Sequence, residues 1–244
     1  MKSHFLLSLI FFSTLIKAQV QEKQNFTFNQ SNFDIVILQI DSTTLNNTSI
    51  VDNNNLSSEQ LKDSLIKTGD TFLAFNVAPT DVSGNLIGLF INNGKIKQSI
   101  NNGNGTGNFY LKPNGFWGIE KNNFSIFTSD KYVNTNSYRQ AAQSGPMLVI
   151  DGNINTLFDP NSVNKNIRIG IGTFLKNGIA FLVIIRSQNA VSFYEFAKVF
   201  KDKFNCSNAL YLDGGDHTVL FMPSNTLRGT LGTNISKILV FKIY

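Results

Sequence analysis

The sequence predicts a single α+β domain with a mixed, largely antiparallel β-sheet core and a few packed helices. Short runs rich in β-branched and aromatic residues recur along the chain between clusters of Gly, Asn and Pro, the pattern of strands separated by turns. Ser57 to Gln60 and Ser192 to Glu195 each carry a capping box leading into an apolar helical pattern, the signature of a helix start. No internal repeat or clean linker divides the chain, and 244 residues of which 42% are hydrophobic suffice to bury one large core.

Residues 1–18, MKSHFLLSLIFFSTLIKA, read as an export signal, with Lys2 as the positive start, Phe5 to Ile16 as the apolar stretch and Ala18 before the cut. The apolar stretch is too short to span a bilayer comfortably, so no stable membrane insertion is expected once it is removed. Residues 19–32 are polar and read as an irregular N-terminal segment, which leaves 33–244 as the domain proper.

Within that domain, Phe33 to Ile40 reads as a strand and 41–55, rich in Asn, Ser and Thr, as a solvated loop. The capping box at Ser57 opens a helix over about 58–68, closed by Gly69. Thr71 to Val77 is a compact strand broken by Pro79. Leu86 to Ile91 and Lys95 to Ile100 flank Asn93-Gly94, the strongest short hairpin signal. A glycine-dense loop, 101–118, leads into a second hairpin, Gly115 to Ile119 with Phe124 to Thr128 around Asn122-Asn123.

Tyr138 to Ser144 reads as a short helical turn, and Met147 to Ile150 as a strand ending in Asp151-Gly152. Ile167 to Thr173 and Ile179 to Ile185 are strands. The helix that opens at Ser192 carries Phe196, Val199, Phe200 and Phe204 on one stripe, so it packs flat on a sheet. It feeds into the strand Ala209 to Leu212, a strand–helix–strand unit of the kind that usually joins parallel neighbours. Ile235 to Ile243 is a final strand.

Composition excludes some functions. Cys206 is the only cysteine, so no intramolecular disulfide forms. Removing the signal lowers the formal net charge from +5 to +3 by taking Lys2 and Lys17. The remaining lysines are scattered, which does not support nucleic-acid binding but is compatible with an anionic partner.

The stretch Asn208 to His217, NALYLDGGDH, draws most attention. An apolar strand ends at Asp213, and Gly214 and Gly215 permit a tight turn or close approach to a ligand. Asp-Gly is also the commonest hairpin signal, so alone the motif more often marks a turn than a site. A ligand is expected at the C-terminal ends of the strands in the strand–helix–strand unit, where Asp213 lies.

Other polar residues at strand ends are Asn76, Asp151 and Arg168. An arginine can grip an anion through two parallel hydrogen bonds, with carboxylates opposite for acid, base or nucleophile work. Only His4 and His217 are present, without zinc-ligand spacing, so no zinc site is expected. Asp213 and Asp216 leave open Ca²⁺ or Mg²⁺ held by carboxylates, though two acids at this spacing more often decorate a turn. No Gly-x-Ser-x-Gly elbow accompanies His217.

Four segments, GTGNFYLKPNGFWG (105–118), AAQSGPMLVIDGNI (141–154), IRIGIG (167–172) and NALYLDGG (208–215), resemble the successive motifs of the phosphodiester glycosidase family in its shorter bacterial form. The resemblance implies hydrolysis of the C1–O bond of a sugar linked through phosphate, in an exported protein of the periplasm or exterior acting on a sugar phosphate or anionic glycan. It implies Asp213 as the acid, base or nucleophile, with Asp151 shaping the pocket and serving as a further catalytic candidate; His217, close behind Asp213 in the chain, is a catalytic candidate by its position and not by the resemblance. Arg168 would neutralise the phosphate, and Asn76, Asn114, Ser144, Gly145, Gly214 and Gly215 would shape the substrate pocket. No cofactor is implied.

The chain departs from the family pattern twice. Asn76-Val77-Ala78-Pro79 stands where a glycine-containing turn is usual, and Asp216-His217 replaces small residues after the glycines. Two other classes stay open: a non-catalytic binder of anionic glycans, and a metal-dependent phosphodiesterase that cleaves P–O instead.

Overall fold

The computed structural model describes residues 20–52, 57–81, 83–134, 137–215, 218–229 and 237–243. The predicted export signal, Asp216 and His217 lie outside the described residues.

The chain opens with a hairpin, β1 (Val20–Phe28) and β2 (Ser31–Gln39), followed by a short helix α1 (Ser42–Asn46), β3 (Thr48–Asp52) and helix α2 (Ser58–Ile66). Strands β4 (Thr71–Asn76), β5 (Phe90–Asn92), β6 (Lys95–Gln98), β7 (Gly115–Glu120), β8 (Asn123–Thr128), β9 (Tyr138–Ser144), β10 (Met147–Ile150) and β11 (Asn153–Ile154) come next. The second half runs through β12 (Arg168–Lys176), β13 (Ile179–Ser187), α3 (Phe193–Lys198) with its π-helical extension Val199–Lys203, and β14 (Asn208–Gly214). It closes with β15 (Val219–Phe221), β16 (Leu227–Gly229) and β17 (Lys237–Ile243).

These strands form three sheets, ordered β1-β2-β13-β12-β14-β10-β11, β16-β15-β4-β17-β3 and β6-β5-β9-β7-β8. The strand pairings within them are antiparallel. Their inner faces meet in one core, where Val36, Ile169, Ile184 and Leu210 of the large sheet pack with Phe75 and Leu239 of the second and Trp117 and Ile126 of the third. The outer face of the large sheet is covered by α3 through Phe196, Val199 and Phe200, as its apolar stripe requires.

Both capping boxes close as predicted: Ser57 accepts from the Gln60 N–H and Ser192 from the Glu195 N–H, while the Gln60 and Glu195 side-chain oxygens accept the N–H groups of their caps. Gly69 ends α2 at a φ of 74°. Four hairpin turns, Asn29-Gln30, Asn93-Gly94, Asp151-Gly152 and Asn177-Gly178, hold both central residues at positive φ, the type I′ geometry that matches strand twist.

Several expectations are corrected. Residues 20–28 are an edge strand, not irregular: β1 pairs with β2 and turns Phe26 and Phe28 onto the outer core. The polar segment 41–55 contains α1, capped by the Asp41 carboxylate on the Thr44 N–H, and β3, paired with β17. Tyr138–Ser144 is the central strand of its sheet, where cover on both faces overrides the helical preference of Gln and Ala. Its Gln143 side chain receives the N–H groups of Leu89 and Asn101. The second hairpin turns at Lys121-Asn122, one residue earlier than expected, with Lys121 at a φ of 48°. The crossover through α3 joins strands that run parallel but are not neighbours, because β12 lies between β13 and β14, antiparallel to both.

Close packing of α3 on the large sheet depends on glycine. A Cβ at Gly170 would stand 2.8 Å from the Leu210 carbonyl oxygen and 3.1 Å from the Phe196 ring. Gly170→Ala should destabilise the fold by about 1–3 kcal/mol, lowering the melting temperature by several degrees in a thermal melt; an unchanged melting temperature would contradict this packing.

Candidate active site

Strand β14 determines where the site's groups point. Ile169 of β12 stands opposite Asp213, yet Gly170 stands opposite Tyr211, so Leu212 is an extra residue in β14. Such a bulge interrupts the alternation of side chains. Leu212 and Asp213 therefore both turn toward the inner core, the side of Ile169, whereas Tyr211 turns toward α3. The fully buried Ser144 braces the bulge: its hydroxyl donates to the Tyr211 carbonyl at 2.5 Å.

Re-aimed in this way, Asp213 meets the second sheet. Its Oδ2 accepts from Asn76 Nδ2 at 3.2 Å, and its Oδ1 accepts from the Gly214 N–H at 2.8 Å. Asn76 Oδ1 in turn accepts the Val219 N–H at 2.7 Å. One buried amide at the end of β4 thus fixes both the carboxylate and the strand that follows it.

From the outer face comes Tyr211. Gly214 has no side chain, and a Cβ there would lie 2.3 Å from the Tyr211 hydroxyl. The phenol therefore lies along the strand end and reaches a cleft of about 280 Å³, where its oxygen accepts from Asn108 Nδ2 at 3.2 Å. This cleft is walled by Pro79 and Ile87 on one side and by the glycine-rich loop at Thr106 to Phe109 on the other. Among the described residues lining it, Asp213 is the one carboxylate.

Arg168 does not face Asp213. It stands opposite Gly214 on the α3 side, fully buried, with its guanidinium 3.6 Å from the Phe193 ring centroid and Nε donating to the Val191 carbonyl at 2.9 Å. Burial pulls its pKa down and the neighbouring Tyr211 phenol partly offsets this. As seen from the cleft, the cation sits behind the Tyr211 ring, not on the Asp213 face. Burial pushes the Tyr211 pKa up, Asp213 adds to the rise, and Arg168 and Asn108 oppose it. The phenol is therefore a proton-bearing hydrogen-bond donor near neutrality.

The arginine on the Asp213 face is Arg186. It stands opposite Ile169 on β13, so Arg186, Ile169 and Asp213 form a row across three strands, with the outer two about 10 Å apart. Its Nε donates to Thr218 Oγ1 at 3.2 Å, and that hydroxyl donates to the Gly215 carbonyl at 3.0 Å. Burial lowers its pKa, buried Asp34 raises it and Arg228 lowers it. Arg186 thus holds Thr218 and, through its hydroxyl, Gly215.

Asp151 is not in the site. It is the first residue of a type I′ turn, its side chain 70% exposed and 3.7 Å from Lys131 Nζ. Its N–H binds the Asn208 side chain, at the far end of β14 and about 17 Å along the strand from Asp213. Asn114, Ser144 and Gly145 support the cleft without lining it. Asn114 Nδ2 donates to the Phe109 carbonyl, and a Cβ on Gly145 would stand 2.5 Å from Asn114 Cβ. Tyr211, Asn108 and Arg186 were missed; the sequence signal for the tyrosine is an aromatic three residues before a glycine at a strand end.

No group of three or more His, Cys, Asp or Glu residues suited to a metal ion occurs among the described residues. No helix among them is long and apolar enough to cross a membrane.

Three antiparallel sheets, with an aspartate re-aimed at the end of a central strand beneath a glycine-rich loop, define the class. The chain belongs to the phosphodiester glycosidase family, whose model matches residues 70–241. It is 36% identical over 146 residues to the uncharacterized protein YigE of Escherichia coli (strain K12), a match covering 60% of this chain and 56% of that one, so the chain spans about half the length of that relative. The catalytic domain of zebrafish N-acetylglucosamine-1-phosphodiester alpha-N-acetylglucosaminidase, auto-inhibited by its pro-peptide, shares the fold with a TM-score of 0.59 at 17% identity over 93% of this chain and 88% of that one. A hypothetical protein from Synechocystis (TM-score 0.52, 14% identity, 91% of this chain and 62% of that one) is similar in fold. So is a protein of Burkholderia pseudomallei K96243 (TM-score 0.52, 9% identity, 87% and 74%).

The Tyr211 environment has a sign that can be measured. Its folded pKa lies above that of the unfolded chain, about 10. The contribution is fully present below that pH and is lost as pH rises beyond it. Unfolding free energy should fall above pH ~10, and Tyr211→Phe should fall less steeply; parallel slopes in urea titrations would contradict the buried, neutral phenol.

Proposed function

We propose that the protein is an exported hydrolase that cleaves the C1–O bond of a sugar-1-phosphodiester in an envelope or extracellular polysaccharide. The observation that carries this reading is Asp213, held by Asn76 and the Gly214 N–H at the mouth of the cleft, in a chain of this family. A sugar bound there presents its anomeric carbon to the carboxylate. Water attacks C1, its oxygen forming the new bond while Asp213 accepts the proton; the C1–O bond breaks and the phosphate monoester leaves with the electron pair.

The leaving group is already a stable anion, so it needs charge stabilisation more than protonation. The Tyr211 hydroxyl and the Asn108 amide donate to it, and Arg168 adds positive potential from behind the phenol. Donors fixed before reaction cost little reorganisation.

The turn Asn76-Val77-Ala78-Pro79, which lacks the family's glycine and loses a backbone donor at Pro79 in the cleft wall, favours one second reading: an anionic-glycan binder that has lost turnover. Purified protein incubated with a panel of sugar-1-phosphodiesters should release free sugar, with oxygen from labelled water appearing in the sugar and not the phosphate. Asp213→Asn should reduce turnover by a factor of about 10²–10³ and Tyr211→Phe by a smaller factor, both at an unchanged melting temperature. Label in the phosphate, or full activity of Asp213→Asn, would overturn the mechanism; calorimetric binding without turnover would establish the second reading.

A further inference from the structure

We infer a second binding site, for an anionic polysaccharide strand, at the end of the large sheet away from Asp213. A cleft of about 340 Å³ opens there beside the β12–β13 hairpin, on the face that α3 covers farther along. Its floor is aromatic: Phe174 stacks on Phe181 at 5.3 Å and meets Phe204 at 5.7 Å. Its rim is cationic, with Lys23 from β1, Lys176 from β12 and Lys203 from the π-helical turn.

No carboxylate lines this cleft, and none of the three lysines is ion-paired among the described residues. Lys131, Lys165, Lys198 and Lys242 each have a carboxylate partner within 4.0 Å. Three cations from three elements edge one recess, a local positive potential that favours an anionic ligand. The two kinds of group suit one ligand: sugar rings lay apolar faces on the phenylalanines while carboxylates or phosphates meet the ammonium groups. The rings are recessed, with Phe181 8% exposed, which suits a strand lying in a groove more than an acyl chain or a flat membrane.

The site does not rest on the proposed reaction. Lys176 is seven residues along β12 from Ile169, the residue opposite Asp213, or about 23 Å. A polymer held here is tethered near the catalytic cleft without blocking it.

The test is native affinity electrophoresis in gels containing polygalacturonate, with neutral dextran gels, phosphatidylglycerol vesicles and single-stranded DNA as comparisons. Polygalacturonate should retard the wild-type protein and dextran should not. The K23Q/K176Q/K203Q variant should bind at least tenfold more weakly and Phe174→Ala severalfold more weakly. K67Q/K95Q/K121Q, which removes the same charge elsewhere, should bind as wild type, and so should Asp213→Asn. Melting temperatures within a degree of wild type confirm folded variants. Absence of retardation, equal loss in the control triple, loss in Asp213→Asn, or binding to vesicles or DNA as tight as to polygalacturonate would each overturn the site.

Discussion

Asp213 reaches the cleft because β14 carries one residue more than the strand beside it. Without the bulge at Leu212, simple alternation would send Asp213 to the α3 side and leave Asn76 without its carboxylate partner. Ser144 secures the bulge from the third sheet and Asn76 receives its product from the second. The three sheets therefore meet at this strand in polar contacts as well as in their shared core, and the site inherits the rigidity of that junction.

The same strand end explains why groups from opposite faces converge. Asp213 comes from the inner face and Tyr211 from the outer one, and they share a cleft because Gly214 between them occupies no side-chain volume. Arg168 is held by backbone carbonyls and the Phe193 ring, so its charge acts on the cleft through the phenol and not by contact.

Much of the fold could be read because it rests on local chemistry. Capping boxes, Asn-Gly turns and the apolar stripe of α3 depend on neighbours in sequence, and each forms as expected. The position of Asp213 at a strand end was legible for the same reason, as a carboxylate closing an apolar run. The errors arise where distant contacts decide. Tyr138–Ser144 is made of helix formers but is covered on both faces. Asp151 and Asp213 share an Asp-Gly dipeptide, and only strand pairing shows that one sits in a hairpin turn and the other beside a bulge. The side chosen by Arg168, and with it the role of Arg186, depends on a register that no local pattern records. The N-terminal strand was legible in principle, since Phe26 and Phe28 alternate with polar residues.

Trp117 is the chain's only tryptophan, and it is fully buried, stacked on Phe124, with its Nε1 donating to the Val77 carbonyl at 2.9 Å. Val77 lies between Asn76, which holds the aspartate, and Pro79, which walls the cleft. The protein therefore carries one tryptophan fluorophore, hydrogen-bonded to the segment that links its carboxylate support to its pocket wall. Its emission is an optical readout of that segment, and occupancy of the cleft can be followed without adding a dye.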